Sequence, residues 1–163
     1  SLQAEYLDSN PATVMVGGQI DFMADDKVAT AFQMPCEHQK ILTGLLEKRF
    51  PICHPSIMFR KSAALQVGCY RVNGAGEDLD FFLRMSELGF LSNISTKVLK
   101  YRIQTDSLSM QKASELKKRY SYSLINYRRR SSGIEELDLI EFERRWAERT
   151  FYARLLERID LYS

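Results

Sequence analysis

The sequence is sparing with the residues that most readily announce a chemistry: its 163 residues hold two histidines, three cysteines and one tryptophan. His38 and His54 have no histidine or cysteine three or four positions away, which excludes the common paired zinc-ligand spacings. His38 reads as surface, and His54, beside Pro55, as structural, since nothing near it supports a Ser-His-Asp triad. Cys36, Cys53 and Cys69 are scattered and odd in number, so they form no disulfide framework and predict free, buried thiols in a reducing compartment. There is no Gly-rich phosphate loop and no Gly-x-Ser-x-Gly elbow. No apolar run is long enough to cross a membrane, and no signal-peptide pattern is present. A net charge of +2 is too small to point to nucleic acid as a partner. Internal repeats and low-complexity tracts are also missing.

What is present is the composition of a folded globular chain, 45% hydrophobic and 27% charged, long enough for one domain or a large part of one. Residues 3–7 read as a helix already under way, with no capping residue ahead, which gives the chain the look of a piece of a longer protein. A turn cluster around Asp8 to Pro11 ends that helix. Residues 13–23 read as a strand in which Gly17 and Gly18 mark a bulge or a close approach. Residues 24–33 read as a loop or second short strand. A helix is expected over 36–48 with Pro35 at its first position, on a stripe of Ile41, Leu42, Leu45 and Leu46. Residues 50–60 read as a mostly buried strand. Ser62 is placed to cap a short helix over 63–67 that Gly68 closes. Two short strands are expected within 91–102, then a basic helix from about 110 to 127. Ser132 to Glu135 has the form of a capping box opening a last helix, whose apolar face is read as Leu137, Ile140, Trp146, Ala147, Phe151, Leu155, Leu156 and Ile159. The order predicts an α/β fold to about residue 109, with a helical extension over 110–163.

The densest chemistry lies in Gly-Ala-Gly-Glu-Asp-Leu-Asp-Phe-Phe-Leu-Arg, residues 74–84. Two glycines precede three carboxylates within four positions, and the apolar run 79–88 that follows stops at Gly89, a natural residue just past a helix end. Glu77 and Asp78 then fall in the first helical turn, where unpaired N–H groups and the helix dipole favour negative charge. A carboxylate kept ionised there suits a general base, although acidic residues at a helix start are also ordinary capping.

Four segments taken together go further. His54-Pro55-Ser56-Ile57-Met58-Phe59-Arg60-Lys61, Val67-Gly68-Cys69-Tyr70, Glu77-Asp78-Leu79-Asp80-Phe81-Phe82-Leu83-Arg84 and the Tyr101-Arg102 to Ser109 ending are similar, in order and spacing, to the C-terminal half of a family 2 glycosyltransferase of the GT-A fold. The resemblance covers roughly residues 3–109. It implies a partial GT-A mixed sheet with flanking helices. It implies transfer of a sugar from a nucleotide-sugar donor to a hydroxyl of a sugar or lipid-linked acceptor, with inversion, in cell-surface polysaccharide synthesis. On it, Asp78 is the expected base and Glu77 its neighbour positioning the acceptor. Gly74, Ala75 and Gly76 form the expected acceptor-side loop, Arg84 braces or binds on that side, and Arg102 and Gln104 lie toward the donor diphosphate. The family's Asp-x-Asp metal motif would lie ahead of the chain, and Asp25-Asp26 does not replace it. A divalent ion, Mn²⁺ or Mg²⁺, is thus expected in the full-length enzyme and none in this piece, which alone is expected to be inactive. Gln104 stands where many relatives carry histidine, and its amide is a poorer metal ligand.

The basic run 112–130, interleaved with Tyr120, Tyr122 and Tyr127, reads either as a solvated helix face or as a surface for anionic lipid headgroups, and the last helices suit a homodimer contact. A cytoplasmic, membrane-associated enzyme is the resulting expectation. A non-catalytic binding or scaffold module is the alternative.

Overall fold

The computed structural model describes residues 1–24, 27–30, 33–71, 76–102 and 113–160. Its elements are α1 (Leu2–Ser9), β1 (Thr13–Ala24), β2 (Lys27–Thr30), α2 (His38–Leu46), a 3-10 turn (His54–Ser56), β3 (Met58–Phe59), α3 (Lys61–Gln66), α4 (Glu77–Ser86), β4 (Phe90–Arg102), α5 (Ala113–Ser131) and α6 (Leu139–Asp160). The expected mixed α/β architecture is present, and among the described residues no helix is long and apolar enough to cross a membrane.

β1 is the centre of a four-stranded mixed sheet. One edge runs parallel to β4 along nearly its whole length, and the other pairs antiparallel with β3 near its start and β2 at its end. The Gly17-Gly18 pair is explained by this arrangement. A Cβ on Gly17 would lie 2.3 Å from Asn93 Oδ1, and one on Gly18 would lie 2.7 Å from Val98. The register against β4 also shifts just after Gly18, so close approach and bulge coincide.

α4 is the core helix. Leu79 to Met85 are all buried, with Phe81, Leu83 and Met85 closed off from solvent, and they pack with Met15, Ile41 and Leu91. A helix apolar nearly all round needs cover on more than one side. α5 supplies it: Leu124 belongs to the same core, and Tyr120 and Tyr127 pack against it. Asp80 and Arg84, one turn apart within that helix, form an enclosed ion pair, Nη2 to Oδ2 at 2.6 Å. Arg84 also donates to the carbonyls of Val67 and Cys69, so a charge with no access to water is fully engaged.

Several local expectations are corrected. Ser1 does cap α1, its Oγ accepting from Ala4 N–H at 3.3 Å. α2 starts at His38 from Glu37, with Pro35 still outside it. Residues 50–60 hold only the two-residue β3 and a 3-10 turn, because Pro51 and Pro55 lack the N–H a strand ladder needs. α3 is entered from Arg60, not Ser62, and 90–102 is one long strand. Gly89 closes nothing: a Cβ there would meet Val14 at 2.6 Å and the Ala12 carbonyl at 2.7 Å. The supposed capping box is instead the end of α5. Gly133, at φ 67°, turns the chain while Ile134 N–H reaches back to the Arg129 carbonyl. Asp138 caps α6, accepting from Ile140 N–H at 2.8 Å. Among the described side chains of α6, Phe142 is the buried one, and Ile140 is 78% exposed. The side chains from Phe151 onward lie outside the described residues. The cysteines are free, but Cys36 and Cys69 are exposed and Cys53 half-buried.

His38 is not simple surface. Its Nδ1 accepts from Leu91 N–H at 3.0 Å and its ring lies 5.2 Å from Phe90, tying α2 to the start of β4. Burial holds the imidazole pKa below its ordinary 6.5, which suits a nitrogen that must stay unprotonated to accept.

Candidate functional site

The N-terminus of α4 opens into a cleft of about 580 Å³. Gly76 enters the helix at φ 91°, a left-handed turn that glycine adopts freely. A Cβ there would come 3.1 Å from Arg119 Cβ and 3.2 Å from Tyr120 Cε1, so the same glycine lets α5 close over the helix start. Asp78 follows in the first turn and lines the cleft, with Leu79 N–H donating to its Oδ1 at 2.8 Å. Burial pushes the Asp78 carboxyl above its usual range, while the Leu79 N–H and the nearby His54 pull the other way. The carboxyl stands partly withdrawn from water in a space large enough for a sugar.

The floor beside it comes from the 3-10 turn and the residue before it. His54 Nε2 and Tyr70 Oη lie 2.9 Å apart, and the imidazole sits edge-on to Phe82 at 5.9 Å. Burial raises the Cys53 thiol to about 11, so it is a neutral wall at physiological pH and not a thiolate.

Two aromatic pairs flank the opening. Phe22, near the end of β1, meets Tyr101 of β4 edge to face at 5.8 Å. Phe50 meets Tyr120 of α5 at 5.5 Å. Burial, with Asp78 and Glu77 close by, raises the Tyr120 phenol and keeps it a neutral donor. Lys48 and Lys117 complete the rim.

Of the residues expected from sequence, Glu77 and Asp78 stand together at the helix start beside Gly76. Arg84 braces: it is held within the core by Asp80 and two carbonyls and does not line the cleft. Arg102, the last residue of β4, is exposed next to Tyr101. Gly74, Ala75, Gln104 and the Asp25-Asp26 pair lie outside the described residues. Sequence reading gave no functional place to Phe22, Phe50 or Lys48, and read Tyr120 and the basic run holding Lys117 as a solvated face or a lipid-facing surface. It also gave His54 a purely structural place, although its position opening the His-Pro-Ser segment drew attention to it. In the basic run, Lys118 pairs with Glu143 at 3.0 Å and Arg130 with Glu87 at 2.7 Å, while Tyr122 packs on Phe142. Much of that run is therefore engaged with α4 and α6.

Among the described residues no three His, Cys, Asp or Glu side chains converge as a metal-binding group. Among the described residues the cleft offers one carboxylate, an imidazole beside a tyrosine hydroxyl and a protonated thiol, a donor set that does not fit Mn²⁺ or Mg²⁺. The chain matches no protein-family model, no curated protein and no solved structure.

Proposed function

We propose that the chain carries the acceptor side of an inverting glycosyltransferase of the GT-A type, with Asp78 as general base. The observation that carries this reading is a carboxyl with a raised pKa at a helix start, facing a sugar-sized cleft walled by aromatic rings. An acceptor hydroxyl placed against Asp78 gives its proton to the carboxylate as the oxygen attacks the anomeric carbon of the donor. The bond from that carbon to the nucleotide's diphosphate oxygen breaks, and the configuration inverts. Burial favours the protonated form of Asp78 that this step produces, so the environment that raises its pKa also strengthens it as a base. The apolar C–H face of a pyranose packs on the flanking rings, while Tyr120 offers a hydroxyl donor. Asp80 and Arg84 hold the helix that aims Asp78.

Transfer from UDP-, GDP- and dTDP-sugars by the full-length enzyme of which this chain would be the acceptor side, followed by nucleotide release in the presence of Mn²⁺, tests the reading. Asp78→Asn should lower the rate by about 10²–10⁴-fold with the fold intact. An unchanged rate sinks Asp78 as the base. Saccharide binding with no transfer from any donor favours the non-catalytic binding module instead.

A further inference from the structure

We propose that the acceptor bound in this cleft is a phosphate-bearing saccharide, its ring between the aromatic walls and its anion at Lys48 and Lys117. The inference rests on the glycosyl-transfer reading for the word acceptor, but the binding chemistry stands on separate observations.

The first is charge. Lys48 and Lys117 come from different parts of the chain, the turn just past α2 and α5, and both line one cleft, each with its side chain exposed. Among the described residues neither is within ion-pair distance of a carboxylate, whereas Lys118 and Arg119, next in the chain, both lie within that distance of Glu143. Two cations left without a counter-charge at the mouth of a partly desolvated site favour an anionic ligand.

The second is backbone. Lys48 has φ 59° and Phe50 φ 50°, two non-glycine residues in the left-handed region within three positions. The hydrogen bonds that close α2, Arg49 N–H to the Gly44 carbonyl at 2.8 Å and Lys48 N–H to the Leu45 carbonyl at 3.0 Å, put Lys48 at the position where glycine normally ends a helix. Glycine would fit there with less strain, and a lysine serving only the helix dipole would do so at ordinary φ in the last turn. The chain instead places a side chain at each of the two left-handed positions, and both line the cleft: a cation, then a ring that packs at a tilt against Tyr120. Strain retained in this way at a concave surface points to ligand contact.

The third is the pairing of opposite chemistries. Asp78 is half-buried with apolar and aromatic residues around it, and the two lysines are exposed. A bare anion would meet the aromatic walls and the carboxyl unfavourably, and a neutral sugar would leave the lysines unused. A sugar that carries a phosphate satisfies both ends.

Calorimetric titration of the protein with glucose, galactose and N-acetylglucosamine and with their 1-phosphates tests this, with inorganic phosphate, UDP and phosphatidylglycerol vesicles as controls. At least one 1-phosphate should bind about tenfold or more tighter than its parent sugar and than inorganic phosphate. That preference should disappear in Lys48→Gly with Lys117→Gln. Lys48→Gly alone should keep or raise the Tm, which separates lost affinity from lost folding. Asp78→Asn should keep the preference. Equal affinity for sugar and sugar phosphate overturns the inference, as does a preference that survives both lysine replacements. Displacement of the sugar phosphate by UDP with the same lysine dependence assigns the lysines to the donor and also overturns it. Vesicle binding without sugar-phosphate binding does the same in favour of a lipid headgroup. A phosphate preference with no transfer from any donor supports the site and sinks only the transfer reading. An Asp78-dependent transfer with no phosphate preference does the reverse.

Discussion

Asp78 and His38 are titrating residues whose burial pulls stability in opposite directions with pH. For Asp78 the raised folded pKa means that the native state holds its proton more tightly than the unfolded chain. Native stability is therefore lost as pH rises from the ordinary value of 3.8 through the raised one, and at neutral pH the ionised carboxylate weakens the fold. Asp78→Asn should leave the Tm at pH 7 unchanged or higher while it removes activity, a separation thermal melts and rate assays read directly. His38 has a lowered folded pKa, so the unfolded chain takes up the proton first. Its contribution is complete above 6.5 and fades as pH falls from there through the lowered value. Urea melts between pH 7.5 and 5 should show stability falling, and His38→Gln, uncharged throughout, should flatten that fall. At Gly17 and Gly89 the neighbours of an added Cβ would be an asparagine oxygen in the sheet and a backbone carbonyl. Gly17→Ala and Gly89→Ala should each cost about 1–3 kcal/mol in urea midpoint analysis.

At the level of elements, α4 was legible because its signals are local: continuous apolar positions, acids in the first turn and glycine just ahead. Segment 50–60 was misread because apolar character reports burial and says nothing about ladder partners. Ile52 and Ser56 are indeed buried, yet the two prolines and the left-handed Phe50, 47% exposed, keep the chain from running as a strand. The end of α5 was misread because one sequence, Ser132 to Glu135, fits both a helix start and a helix stop, and Gly133 in the left-handed region decides for the stop. The cleft was the least legible part. Its walls come from β1, the segment after α2, β4 and α5, and no spacing in sequence records that these four meet. Within α4 the enclosed Asp80–Arg84 pair sets a further test. Arg84→Met should cost about 3–5 kcal/mol in urea denaturation because it leaves a buried carboxylate with only the exposed Arg71, 3.4 Å away, as partner, and Asp80→Leu with Arg84→Met should recover part of that loss.

Across the whole molecule, Glu136 joins the connection before α6 to the loop after α3 and to α5. Arg71 meets it through two nitrogens at 2.9 and 3.0 Å, and Arg130 meets it and Glu87 together. Burial acts to raise the Glu136 carboxyl, but the two guanidinium groups outweigh it and hold it below its ordinary 4.5. Its contribution is therefore present above 4.5 and lost as pH falls through the lowered folded value. Glu136→Gln should destabilise the protein by about 1–3 kcal/mol at pH 7 and by progressively less in acid.

The parallel pairing of β1 with β4 sets the order in which the protein can assemble. Met15 meets Leu91 across that pair, so roughly 75 residues of chain must be closed into a loop before the central ladder forms. At a synthesis rate of about 5–20 residues per second, a nascent β1 waits on the order of ten seconds for its long partner. During that interval it has only β2 and then β3 beside it, and the backbone N–H and C=O groups of its other edge, which later pair with β4, are open. Faster translation through 25–90 should then raise the folded yield in a cell, read as the soluble fraction, with no change in the stability of the finished fold.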